Sequence, residues 1–148
     1  MVGATQGLPE YVRWAVHRPG DWMTVPATMR RTYERPGGGA GTVLEVVHQD
    51  GVFQIERVTM PAGSIAPVHR HPLIDTYECY LTGVALFSVR HRTTKLFPGT
   101  VHRVLPIPAE AWHSAVVGEE GPLVFLSIQR YRTDVAPRSV IGSWEVPA

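Results

Sequence analysis

Turn-forming residues divide most of this chain into short segments, and the close spacing of these turns constrains the fold more than any other feature. The 148 residues include 14 Gly and 13 Pro, which stand between the segments and form no repeat. The segments themselves are rich in Val, Ile, Thr and aromatic residues, which suit a pleated, half-buried surface. No stretch shows a sustained helical period. The sequence therefore predicts an all-β protein built as a sandwich or barrel.

Nine strands are predicted from the positions of these turns, and Asp50-Gly51 marks a hairpin between the first two. The predicted strands are residues 42–48, 52–60, 66–71, 76–81, 84–90, 95–97, 100–105, 113–117 and 123–129. The first forty residues differ, because Trp14 and Trp22 are followed by a basic stretch that ends in Pro36 and three glycines. We therefore expect residues 1–40 to form an N-terminal arm and residues 41–148 to form one barrel domain.

Composition and charge exclude several classes of partner. Fourteen Lys and Arg are scattered among 13 Asp and Glu, so no basic stripe is available to track phosphates and nucleic acid is not expected as a partner. No apolar run is long enough to span a membrane, and the N-terminus lacks the pattern of a secretory signal. The single Cys79 cannot form an internal disulfide. A soluble, cytoplasmic protein with no membrane partner is expected.

Three of the seven histidines are placed where strand geometry can use them. His69 and His71 are two residues apart, so in a strand their side chains project from the same face. His113 begins another predicted strand, which a closed barrel can bring opposite the pair. Three imidazoles suit Zn, Fe, Cu or Ni and leave coordination positions open for substrate. For His102, in the predicted strand just before His113, a role in supporting these ligands stays open beside the commoner role of a surface or core histidine.

These histidines lie in two stretches that resemble the motifs of the cupin superfamily. Gly63, His69, His71 and Gly83 resemble the first motif in type and spacing, and Gly99 with Pro108-Ala-Glu-Ala-Trp-His113 resembles the second. The resemblance implies a small single-domain cupin of the cupin-2 conserved-barrel type, with a jelly-roll β-barrel (double-stranded β-helix). It also implies one divalent transition metal held by His69, His71 and His113.

The chain departs from this pattern at the usual carboxylate ligand. Counting back from Gly83, the glutamate of cupins falls at position 76, where this chain has Thr76. Glu78 lies two residues on, hence on the same face but about 6.6 Å further along the strand. Two ligand sets stay open, namely the three histidines alone and the three histidines with Glu78. The second motif also has Glu110 where cupins prefer glycine.

The resemblance implies a metal-dependent enzyme that acts on a small organic molecule. Non-haem Fe(II) dioxygenation is the favoured reaction, with Glu78 or Tyr80 moving protons; Zn, Ni, Mn and Cu are the alternative metals. Non-redox isomerase, cyclase or lyase chemistry, for example polyketide-cyclase-like, is a second possibility. A cupin that binds a ligand without turnover is a third.

Strand alternation assigns faces but not environments. In 52–60, Gln54 and Glu56 share one face, which we expect to be the solvent-exposed face of an edge strand. In 76–81, Tyr77, Cys79 and Leu81 point away from Thr76 and Glu78, so this apolar patch needs a cover. Either the N-terminal arm or a second protomer supplies it, and a homodimer is the favoured prediction.

Overall fold

The protein is described by a computed structural model, which covers residues 7–33, 41–90, 92–96 and 104–132. It is dominated by antiparallel strands, as predicted. The elements are α1 (Glu10–Ala15), a 3₁₀ helix (Pro19–Met23), β1 (Met29–Tyr33), β2 (Thr42–Asp50), β3 (Phe53–Met60), β4 (Ile65–His69), β5 (Ile74–Thr82), β6 (Ala85–Val89), β7 (Arg92–Leu96), β8 (Val104–Ile107), β9 (His113–Val117) and β10 (Leu123–Tyr131).

The strands form two sheets that face each other. The larger sheet has the order β1-β2-β3-β10-β5-β8 and the smaller has the order β4-β9-β6-β7. β10 lies in the middle of the larger sheet, paired with β3 and β5, and its residues 123–129 are all buried. Its nearly continuous apolar run suits a strand that is covered on both faces.

The hydrophobic core between the sheets receives side chains from both of them. Val58 and Phe125 come from the larger sheet, and Phe87 and Ala115 come from the smaller one. Small residues of the smaller sheet bring the layers close, whereas the aromatic side chains fill the remaining volume. The barrel predicted from the sequence is therefore present as a closed two-sheet core.

The predicted turns appear with the backbone conformations that their residues suit. The hairpin between β2 and β3 turns at Gly51, which has φ +59°. Gly83 ends β5 with φ +95°, and a Cβ there would lie 2.5 Å from the carbonyl oxygen of Pro122. Only glycine fits this close approach without backbone movement.

The N-terminal arm covers the outer face of the larger sheet. Val12 and Ala15 of α1 are fully buried in a second apolar cluster, which includes Cys79 and is flanked by Tyr77 and Leu81. The patch that was predicted to need a cover is therefore covered by the arm of the same chain. The homodimer stays a prediction, but this patch no longer argues for it.

Arg57 fastens the arm to the sheet. Its Nη1 donates hydrogen bonds to the carbonyl oxygens of Trp22 and Val25 at 2.6 and 2.9 Å. Its Nε and Nη2 bind the Glu45 carboxylate, with Nε–Oε1 at 3.1 Å. The charge-assisted pair satisfies a guanidinium that would otherwise be costly to place under the arm.

The arm also contains regular structure that the sequence did not indicate. β1 pairs with β2 and so becomes the edge strand of the larger sheet. α1 is a short helix in a region where no helical period is evident. Its six residues are too few for periodicity to reveal, and packing on the sheet stabilises it.

Two further differences concern strand ends. β4 stops at His69 and does not continue to residue 71, and β8 extends to Ile107, past the end of the strand predicted over 100–105. Residues 97–103, which include part of that prediction and His102, lie outside the described residues.

Within the described residues, no helix has both the length and the apolar character that a membrane span requires.

Candidate metal centre

Three histidines converge on one point between the sheets. The potential ligand atoms of His69, His71 and His113 all lie within 4.8 Å of one another. His69 ends β4 and is paired with His113 at the start of β9, while His71 follows just beyond the strand end. Their ring centroids are 4.1–5.2 Å apart. The sequence argument for a shared face assumed that one strand runs through residue 71. β4 ends earlier, at His69, but the three rings still meet.

Backbone carbonyls set the tautomers of two of these rings. His69 Nδ1 lies 2.6 Å from the carbonyl oxygen of Pro67, and His113 Nδ1 lies 2.9 Å from that of Ala111. A carbonyl oxygen only accepts, so each Nδ1 carries the proton and each Nε2 keeps its lone pair. This is the hydrogen bond that commonly orients a metal-bound histidine.

Burial keeps the imidazoles of His71 and His113 neutral. The pKa of His71 is held well below its usual value, first by burial and then by the neighbouring histidines, and burial also lowers the pKa of His113. Neutral imidazoles with lone pairs on converging nitrogens are the donor set of a divalent transition metal. Ligand nitrogens around such an ion stand about 3.0–3.4 Å apart, which small ring movements reach from the present spacing. The residues therefore fit a metal ion held by three histidines.

Glu78 lines the same cavity but does not belong to the histidine cluster. Its carboxylate accepts a hydrogen bond from the Tyr80 hydroxyl at 2.5 Å. Burial raises the pKa of Glu78 to about 8, against the opposing effect of that bond. Among the described residues the cluster thus contains three neutral ligands and no carboxylate, which favours the first of the two ligand sets.

Tyr80 supports Glu78 from a largely apolar environment. Its ring packs against Phe87 and Phe125, with centroids 6.0 and 5.3 Å away. Burial and the nearby Glu78 carboxyl raise the pKa of Tyr80 well above its usual value, so the phenol keeps its proton. Tyr80 is therefore a hydrogen-bond donor to Glu78.

Thr76 and Glu110 explain how the chain departs from the cupin pattern. Thr76 is buried and lines the cavity, so the wall position of the usual carboxylate is occupied by a short hydroxyl side chain. Glu110 has φ +69°, in the left-handed region that glycine adopts freely. The backbone of the second motif is therefore retained although its glycine is not.

The expectation for Gln54 and Glu56 was wrong. Both are buried, at 0% and 5% exposure, because β3 is an inner strand between β2 and β10. Their face looks into the cavity, where Glu56 is a lining residue. The edge position belongs instead to β1, which sequence periodicity did not reveal.

The cavity is small and mainly apolar. The space open to the centres of water molecules is about 70 Å³. Apolar lining residues come from both sheets, and the polar ones are the histidine cluster, Thr42, Glu56, Thr76, Glu78, Ser114, Ser127 and Gln129. Such a space suits a small organic molecule held by a few polar groups.

Comparison with known proteins identifies the fold. No family model matches the chain, and no curated protein matches it by sequence. Many solved structures do match. A cupin-2 domain protein from Rhodospirillum rubrum, Rru_A2000, is similar with a TM-score of 0.63 at 15% identity, over 81% of this chain and 75% of that one.

Two other similar structures carry names of enzymes. The polyketide cyclase RemF from Streptomyces resistomycificus has a TM-score of 0.57 at 16% identity, over 74% of this chain and 82% of that one. A predicted oxalate decarboxylase from Thermotoga maritima has a TM-score of 0.57 at 17% identity, over 74% of this chain and 95% of that one. The chain has the cupin fold, and its histidine cluster is a candidate metal site.

Proposed function

We propose that this protein is a metal-dependent enzyme that transfers a proton on a small organic substrate. The observation that carries this proposal is that three converging histidines and the buried carboxyl of Glu78 line one small cavity. A metal site beside a titratable group of shifted pKa is the arrangement expected of acid–base chemistry.

Each residue has a defined part in this reaction. His69, His71 and His113 would hold the ion, which when bound supplies Lewis acidity for a substrate oxygen. Ionised Glu78 accepts a proton from the carbon beside the carbonyl group that carries that oxygen: the C–H bond breaks, an O–H bond forms on Glu78, and the electron pair forms a C=C bond as the carbonyl pair moves to the substrate oxygen. Tyr80 steadies the ionised carboxylate by donating its hydroxyl proton in a hydrogen bond.

Non-haem Fe(II) dioxygenation is the second candidate. The observation that favours it is the absence of a carboxylate from the histidine cluster among the described residues, because three neutral ligands resemble the set of cupin thiol dioxygenases. Three protein ligands also leave coordination positions open for substrate and oxygen.

The two reactions are separated by deuterium exchange and oxygen uptake. Protein purified without added metal is analysed for its metal content and then incubated in D₂O with pyruvate, 2-oxobutyrate, acetoacetate and 3-hydroxybutyrate. We expect one metal per chain and metal-dependent incorporation of deuterium beside the carbonyl, followed by NMR. His71→Ala should lose the metal and the exchange together, whereas Glu78→Gln should keep the metal and lose the exchange.

The alternatives give different results in the same experiment. Oxygen consumption that depends on the metal would support dioxygenation. Stoichiometric metal with neither exchange nor oxygen uptake would contradict both reactions and favour a ligand-binding cupin. Retention of metal in the triple variant of His69, His71 and His113 would contradict the metal site itself.

A further inference from the structure

The Glu56 carboxylate is a second polar feature of the cavity wall that the proposed proton transfer does not use. It is 5% exposed and lines the cavity from β3. One of its oxygens, Oε1, accepts a hydrogen bond from Gln129 Nε2. The other, Oε2, is buried and has no hydrogen-bond partner among the described residues. Buried polar atoms normally have a hydrogen-bond partner, so Oε2 requires a donor that the described side chains do not provide.

Surrounding side chains fix which oxygen of Glu56 is left open. Gln129 Nε2 also donates to Ser127 Oγ at 2.9 Å. Gln129 Oε1 accepts from Gln54 Nε2 and from the Tyr131 hydroxyl, both at 3.1 Å. With both ends of its amide engaged, Gln129 cannot rotate to serve Oε2 without breaking this network. Oε2 is therefore the oxygen of this lining residue that the described side chains leave without a donor.

The charge of Glu56 suits a partner that donates a hydrogen bond. Burial raises its pKa to about 7, while the Gln129 bond and the positive charge of Arg31 act in the opposite direction. Near neutral pH the ionised and protonated forms are thus both accessible. A donor group binds the ionised form, in which Oε2 only accepts.

Glu56 and Glu78 occupy the same row of the sheet. Ser127 on β10 is paired with Glu56 on one side and with Glu78 on the other. At the usual strand spacing, the two glutamates stand about 9.6 Å apart along the wall, measured between backbones. Both residues line the same cavity from this row.

We propose that Glu56 Oε2 is a binding subsite for a hydrogen-bond-donating group, a hydroxyl or an ammonium, on the small molecule that occupies the cavity. This inference rests on the proposed function in that it takes the cavity to be the substrate site. It adds the class of substrate: a molecule with an oxygen for the metal end and a donor group that reaches Glu56.

The test uses three small ring compounds, each of five non-hydrogen atoms. Cyclobutanol offers a hydroxyl donor, pyrrolidinium offers an ammonium donor, and tetrahydrofuran only accepts. Their affinities are measured by NMR titration of zinc-loaded protein and again after treatment with EDTA. We expect at least one donor ring to bind fivefold or more tightly than tetrahydrofuran in both preparations, and the tighter donor identifies the group.

Glu56→Gln should reverse this preference. Gln129 still donates to the amide oxygen, so the amide NH₂ takes the place of Oε2 and presents a donor to the cavity. Tetrahydrofuran should then bind as tightly as the donor rings or more tightly. Glu78→Gln is the matched control, because it removes the other cavity carboxyl and should leave the preference for donors intact. If Glu56→Gln does not fold, Glu56→Asp is the substitute test. Its shorter side chain keeps the charge but draws it back from the cavity, so the preference for donor rings should weaken.

Several results would overturn the inference. These are equal binding of all three rings by the wild type, no binding of any ring, an unchanged preference in Glu56→Gln, and loss of the preference in Glu78→Gln instead. Since the EDTA-treated arm needs neither metal nor turnover, a failure of the proposed enzyme function leaves this test readable.

Discussion

Ionisation of Glu78 should destabilise the metal-free fold as the pH rises, and replacing it with Gln should remove that effect. Burial raises the pKa of Glu78 to about 8 in the folded protein, whereas the group titrates near about 4.3 when unfolded. Between these two values the folded state holds a proton that the unfolded state has released. Stability therefore falls with increasing pH over this interval.

The size of the effect follows from the linkage relation. Between the two pKa values, the free energy of unfolding falls by about 1.4 kcal/mol per pH unit. The fall becomes less steep as the pH approaches the pKa of Glu78 in the folded protein. From pH 6.5 to pH 8.0, the wild type should lose about 1.7 kcal/mol relative to Glu78→Gln. The histidines and Glu56 titrate in both proteins, so their contributions cancel in the difference.

Urea unfolding of EDTA-treated protein at several pH values measures this difference. With a urea dependence of about 2 kcal/mol per molar, the gap between the two midpoints should change by about 0.8 M across the interval. Glu45→Gln is the control, since hydrogen bonding to Arg57 lowers the pKa of Glu45 and it stays ionised throughout. The difference between the midpoints of the wild type and Glu78→Gln is compared with the same difference for Glu45→Gln. If both differences are equally independent of pH, the assignment of Glu78 as a buried, desolvated acid is refuted.

Two further predictions concern the backbone and the assembly. Glu110→Gly should stabilise the protein by about 1 kcal/mol relative to Glu110→Ala, because only glycine relieves the left-handed conformation at φ +69°; urea midpoints that rank the two variants equally would contradict this. We also propose a homodimer, so sedimentation at micromolar concentration should show twice the 16.4 kDa of one chain. Because Leu81 packs under the arm, Leu81→Asp should lower stability without dissociating that dimer, and a 16.4 kDa species throughout would rule the dimer out.

Local features of the sequence were sufficient to locate the histidine site. The spacing of His69, His71 and His113 relative to the turn glycines carries the cupin resemblance, and the structure brings their rings together. Alternation likewise placed Thr76 and Glu78 on one face of one strand, and both line the cavity. Strand periodicity depends only on neighbours along the chain, so it can be predicted without knowledge of the fold.

The environment of each face was decided by tertiary structure alone. Glu56 is buried because β10, which lies some seventy positions away in the chain, is inserted between β3 and β5 and presents Gln129 to it. Similarly, Tyr77 and Cys79 are covered because the arm folds back over the larger sheet. The alternation of a strand separates its two faces, but long-range pairing determines which face meets water, a cavity or another layer.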